Sequence, residues 1–144
     1  MEALLTAHLL ASTGVLALTG GIRDGELTGL ARISWDTLPI TDALPCVILH
    51  DLGTSGRDYS FNGRTGLIEY LLQLDAWAGT RVDAIALRTA LVAALDTLRA
   101  PPLQAFIVRD HGATELATGP DAARNTDLHR RSLDVQLWFD PNQT

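Results

Sequence analysis

The chain contains no lysine, and all 11 of its basic residues are arginine. Against 17 acidic residues this leaves a net charge of -6, without the basic stripe by which a protein grips nucleic acid in a sequence-reading manner. Cysteine is nearly absent. The single Cys46 excludes an intrachain disulfide, and its place in the apolar run Cys46-Val47-Ile48-Leu49 predicts a buried structural thiol. Long apolar runs are missing as well. The most apolar stretch, residues 3–18, is interrupted by Thr6, His8, Ser12 and Thr13, and Glu2 stands where a secretory signal would carry positive charge. It falls short of the about 20 apolar residues that span a bilayer, so we read a retained amphipathic helix and expect no membrane association.

Catalytic and metal-binding patterns are equally scarce. His8, His50, His111 and His129 fall on different predicted elements, with no pair at helical spacing and no cysteine partner, so no metal site is expected. His50-Asp51 and Asp110-His111 place an acid beside an imidazole, but neighbouring residues of a strand face opposite sides and form no dyad directly. Gly53-Thr54-Ser55-Gly56 lacks the nucleophile-elbow spacing, and no phosphate-binding glycine motif follows a predicted strand. No catalytic residue and no cofactor is expected.

What is present is pattern. With 47% hydrophobic and 19% charged residues the chain reads as globular, and 144 residues suffice for one domain with a real core. Ile68, Tyr70, Leu72, Leu74 and Ala76 alternate with Glu69, Gln73 and Asp75, the period-2 signature of a half-buried strand. Leu133, Val135, Leu137 and Phe139 repeat it against Ser132, Asp134, Gln136 and Trp138. Between them lies a helix with Thr80 as N-cap, Asp83 three residues on, and Pro101-Pro102 as its stop. Its core face is Ala84, Leu87, Leu91, Ala94, Leu95 and Leu98. Ile85 and Val92 fall on the charged side with Arg88, which marks either a second contact or a widened core stripe.

Residues 2–18 have helical periodicity, stopped by Gly20-Gly21. Residues 22–44 read as a partly irregular excursion with one strand candidate at 30–35. Residues 45–52 form a buried strand, 103–114 another, and 115–126 a polar connection. The glycine-rich segment 53–66, with Asn62-Gly63 as a hairpin signal, is expected to project beyond the sheet. The expected fold is therefore a single α+β domain over residues 1–144, ordered α-β-β-β-α-β-β. Two helices pack on an antiparallel or mixed sheet of about four to five strands.

Four stretches carry a resemblance to a known family. They are the segment from Ala3-Leu4-Leu5 to Thr19-Gly20-Gly21; Leu44-Pro45-Cys46-Val47-Ile48-Leu49; Gln73-Leu74-Asp75-Ala76-Trp77-Ala78 with its following helix; and the ending Ser132-Leu133-Asp134-Val135-Gln136-Leu137-Trp138-Phe139. In this order and spacing the chain resembles the tail terminator, or tail completion, proteins of long-tailed phages, a tail-component family that also occurs in prophages and gene transfer agents. It departs from that pattern after Gly21, where Ile22-Arg23-Asp24-Gly25 opens a longer excursion.

The resemblance implies a non-enzymatic virion assembly protein: a homo-oligomeric ring, expected to be a hexamer, on the head-proximal end of the tail tube. Its partners would be the major tail tube protein and the head-tail connector protein, with DNA passing through the lumen unbound. It would sit at the head-tail interface of the virion after assembly in the bacterial cytoplasm. A closed ring needs two different patches per subunit. Ile85, Arg88 and Val92 are candidates for one, and the strand face of Trp77 and Trp138 for another, unless these are ordinary half-buried sheet residues. In the hairpin, Arg57, Asp58, Tyr59, Phe61, Asn62 and Arg64 are candidates for contact with tube or connector, unless it is a plain turn. A head-tail connector or neck protein, or a soluble bacterial ligand-binding module, remain the alternatives.

Overall fold

The computed structural model describes residues 1–29, 31–37, 44–60, 63–114 and 128–143. Its N-terminal stretch does not run as the single helix that its periodicity predicts. Instead α1 (Glu2–Ala11) and α2 (Thr13–Thr19) meet at Ser12 with a bend of 87°. Ser12 is extended there, its Oγ accepts from the Val15 N–H, and the Ser-Thr-Gly run around it favours caps over helix interior. The bend turns Leu5 and Leu9 of α1 and Val15 and Leu16 of α2 into one core, while Leu4 and Ala11 are left exposed. Neither helix is long and apolar enough to cross a membrane alone.

The two glycines that end α2 are needed for different reasons. Gly20 adopts the left-handed conformation (φ 82°), which costs an L-residue strain. Gly21 is needed for space, because a Cβ there would collide with Leu16 and Ala31. The excursion that follows begins with a small hairpin, β1 (Ile22–Arg23) and β2 (Glu26–Leu27), turned by Asp24 and Gly25, both at positive φ. Asp-Gly is itself a strong hairpin signal, so this element was legible in the sequence.

The main sheet has six strands: β3 (Ile33–Trp35), β4 (Cys46–Ser60), β5 (Gly63–Ala78), β6 (Arg99–Ala100), β7 (Leu103–Thr114) and β8 (His129–Phe139). Their order is β3-β4-β5-β8-β7-β6. β3 runs parallel to β4 and every other pairing is antiparallel, so the sheet is mixed. The fold is of the expected α+β class, but with three helices in place of two, and with three short strands, β1, β2 and β6, beyond the five expected, so that the main sheet has six strands. The polar segment 115–126 lies outside the described residues.

The glycine-rich segment after Leu52 stays in the ladder instead of looping out. Three register shifts, at 51/53, 54/56 and 57/59, absorb its irregularity, and pairing continues to Ser60 opposite Gly63. Because β8 pairs with β5 only from Ile68 onward, the far end of the β4-β5 ribbon extends past the sheet, as expected of a projecting hairpin. Phe61 and Asn62 lie outside the described residues.

α3 (Arg81–Asp96) starts as the sequence predicts: Thr80 Oγ1 accepts from the Asp83 N–H at 3.1 Å and donates to the Asp83 carboxylate at 2.8 Å. It ends at Asp96, five residues before Pro101, because Arg99 and Ala100 pair with Gln104 and Leu103 as β6. Ala84, Leu87, Leu91, Ala94 and Leu95 are buried against Leu72, Leu74, Leu133, Val135 and Leu137 from the helix face of the sheet. Each fully buried leucine contributes about 2 kcal/mol of hydrophobic stabilisation. A Cβ added at Gly14 of α2 would lie 3.6 Å from the Ala90 methyl, ordinary contact distance, so α2 packs close against one flank of α3.

Candidate assembly surfaces

The flank of α3 opposite Ala90 carries the three residues singled out in the sequence. Ile85 is 40% exposed. Arg88 forms an ion pair with Asp110, which joins this flank to β7. Val92 is half-buried and packs against the core, so it belongs partly to the widened stripe. On the first turn of the same helix Val82 is more exposed still.

Beside this flank β7 is an edge over most of its length. β6 covers only Leu103 and Gln104, and the Ala105 N–H donates to Leu98 O at 2.9 Å. From Phe106 onward no described strand lies alongside β7 on the side away from β8. Phe106 and Val108 are 42% and 60% exposed, a pair of apolar side chains on an open edge. The Arg99 guanidinium sits 5.5 Å from the centre of the Phe106 ring. These β7 residues were not singled out in the sequence, although Phe106 and Val108 in a strand without an alternating partner file were a usable signal.

The sheet face opposite the helices is polar at its centre. Asp75 is 3% exposed there, although its position in the alternation gave only a polar outward residue. Its carboxylate accepts from Ser132 Oγ (2.5 Å) and Gln73 Nε2 (3.1 Å). Arg130 Nη1 and His50 Nε2 approach the other oxygen at 3.5 and 3.6 Å. The other ring nitrogen of His50 lies 3.6 Å from Asp36. A carboxylate with two hydrogen-bond donors and two nearby basic groups resolves the desolvation problem that a lone buried acid would face. Farther along, His111 Nε2 lies 2.7 Å from Asp134, diagonally across on β8, and not against the adjacent Asp110. Thus neither sequence-adjacent acid–imidazole pair interacts, whereas two cross-strand pairs do.

Trp77 and Trp138 share this face but stand at opposite ends of it. Trp77 pairs with Arg130 in the β5-β8 ladder, and Trp138 lies eight residues farther along β8, about 27 Å away at strand rise. They do not form one patch. Trp77 lies under Arg130, 5.4 Å from guanidinium carbon to ring centre, and its buried Nε1 and the buried Arg130 Nε have no hydrogen-bond partner among the described residues. Of the hairpin candidates, Arg57, Asp58 and Tyr59 are on β4 and Arg64 on β5, with Tyr59 opposite Arg64; Phe61 and Asn62 are outside the described residues. No group of three or more metal-ligating side chains occurs among the described residues.

An α+β domain with an apolar helix flank beside an open strand edge has the surface of a protein built to associate. The family model described as "Tail completion protein gp17" matches residues 3–140. The chain belongs to this family of phage tail completion proteins, and its role is that of a structural protein in phage tail assembly. A solved structure is 15% identical over 96% of this chain and 95% of that one, at a TM-score of 0.43. No curated protein matches the chain.

Proposed function

We propose that this protein is a tail terminator: a ring, hexameric in its finished form, that caps the head-proximal end of the tail tube. It stops tube polymerisation and presents a docking face to the head connector, without enzymatic chemistry. The observation that carries this reading is the family match over residues 3–140. The surface features are consistent with it. A ring closes through a heterologous interface, and the subunit offers distinct lateral surfaces, one of them formed by Ile85, Arg88 and Val92 beside β7. The extended β4-β5 ribbon, carrying Arg57, Asp58, Tyr59 and Arg64, is the candidate contact to tube or connector, together with Phe61 and Asn62, which lie between its strands in the sequence. An acidic subunit offers DNA few phosphate contacts and so lets it pass through the lumen. Trp77 and Trp138, being far apart, would serve two separate contacts.

The test is native mass over a range of concentrations, with negative-stain images, followed by addition of polymerising tail tubes. The expected result is a discrete ring that binds one tube end and halts elongation. Rings that leave tube growth unchanged and bind connector alone would move the protein to the connector side. A monomer that ignores both would overturn the reading.

A further inference from the structure

Two segments of the main sheet lack a neighbouring strand among the described residues, and they lie on opposite margins. On one margin β7 is open from Phe106 to Thr114. On the other, β3 covers only Val47, Ile48 and Leu49 of β4, with the Asp36 N–H donating to Leu49 O at 2.8 Å, and β4 is open from His50 onward. Each open segment exposes apolar side chains, Phe106 and Val108 on β7 and Leu52, 52% exposed, on β4. Edges of this length left uncovered among the described residues, neither shortened nor closed by proline, template the addition of another strand.

We infer that the open edge of β7 in one copy pairs with the open edge of β4 in the next, so that the sheet continues from subunit to subunit around the ring. The inference rests on the ring reading above and specifies how that ring is held together.

Three features of the fold select this occupant. The first is strand direction. β4, β5, β8 and β7 are joined by three antiparallel steps, so β7 runs opposite to β4. A second copy in the same orientation, set against β7 by its β4 edge, therefore forms an antiparallel ladder, the more stable kind. The second is the pair of short outer strands. β6 blocks β7 at one end and β3 blocks β4 at the other, and these two stops limit the registers in which the open segments meet. The third is their displacement. The β7 opening lies beside residues 130–136 of β8, level with 71–77 of β5, whereas the β4 opening runs from His50 opposite Gln73 to Ser60 opposite Gly63. Neighbours must slide along the strand direction by the same amount in the same sense at every contact, as strands tilted to the axis of a closed barrel do. The bulges on both edges, at Val108 and Leu52 among others, curve them away from flat, indiscriminate pairing.

The experiment is disulfide trapping in the full chain. Val108→Cys is combined in turn with Leu52→Cys and with Thr54→Cys, beside both single variants and the wild type, whose only thiol, Cys46, is buried. All substituted positions are exposed, and circular dichroism checks the fold. Hydrogen exchange of the wild-type protein is compared between monomer and ring. The expected result is a ladder of covalent oligomers beyond the dimer in at least one double variant, up to ring size, with none in the singles. Exchange of amides within 106–112 and 50–57 should slow by at least tenfold on ring formation. Rings of normal size with neither cross-links nor slowed exchange would overturn edge pairing and leave the ring standing. A Val108→Cys dimer in the single variant would show a two-fold β7-β7 contact and also overturn it. Absence of any ring, with or without tail tubes, would overturn both.

Discussion

Asp75 shows how far a single residue departs from what its neighbours in sequence imply. It sits in the polar file of β5, yet it is buried, because Gln73, Ser132, Arg130 and His50 from three strands converge on it. Removing the carboxylate strands those donors. Asp75→Ala is therefore expected to cost about 3 kcal/mol, read as a lower urea midpoint with unchanged m-value. Asp75→Asn keeps one acceptor for Ser132 and should cost less. Thr80 has a simpler, local task. Thr80→Ala removes both halves of its exchange with Asp83, with an expected loss of about 1 kcal/mol in thermal or chemical melts.

At the scale of elements, the turn at Gly20-Gly21 couples helix termination to packing. Gly21→Ala must push Leu16 out of the core or open the link to Ala31, so a loss of about 1–3 kcal/mol is expected by urea unfolding. α3 carries two opposed duties on adjacent turns. Leu87→Ala opens a cavity under the helix and should destabilise by about 2–5 kcal/mol. Ile85→Asp, two residues away and on the open flank, should leave the melting curve nearly unchanged.

For the whole molecule, Ile85→Asp is expected to weaken ring assembly at least about tenfold in native mass measurements, since a buried interface anchor is commonly worth more than about 1 kcal/mol. Unchanged assembly would exclude this flank from the interface. The flank and the β7 edge are tied by the Arg88–Asp110 pair, so an exposed helix face and a strand edge lie side by side on one margin of the domain.

Local pattern alone sufficed for the elements whose two faces meet different surroundings. Leu72, Leu74 and Ala76, then Leu133, Val135 and Leu137, alternate because one face of each strand meets the helices; Leu87, Leu91 and Leu95 recur at helical spacing because they meet those strands. The N-cap at Thr80, the stop at Gly20 and the buried Cys46 were readable for the same local reasons, as was the overall resemblance to a phage tail protein. The bend at Ser12, the parallel seat of β3, the short β6 that ends α3 early, the burial of Asp75 and the margins of β4 and β7 left open among the described residues come from packing alone. Each of these depends on groups far apart in the chain, and a local period records which way a side chain points but not which strand lies beside it.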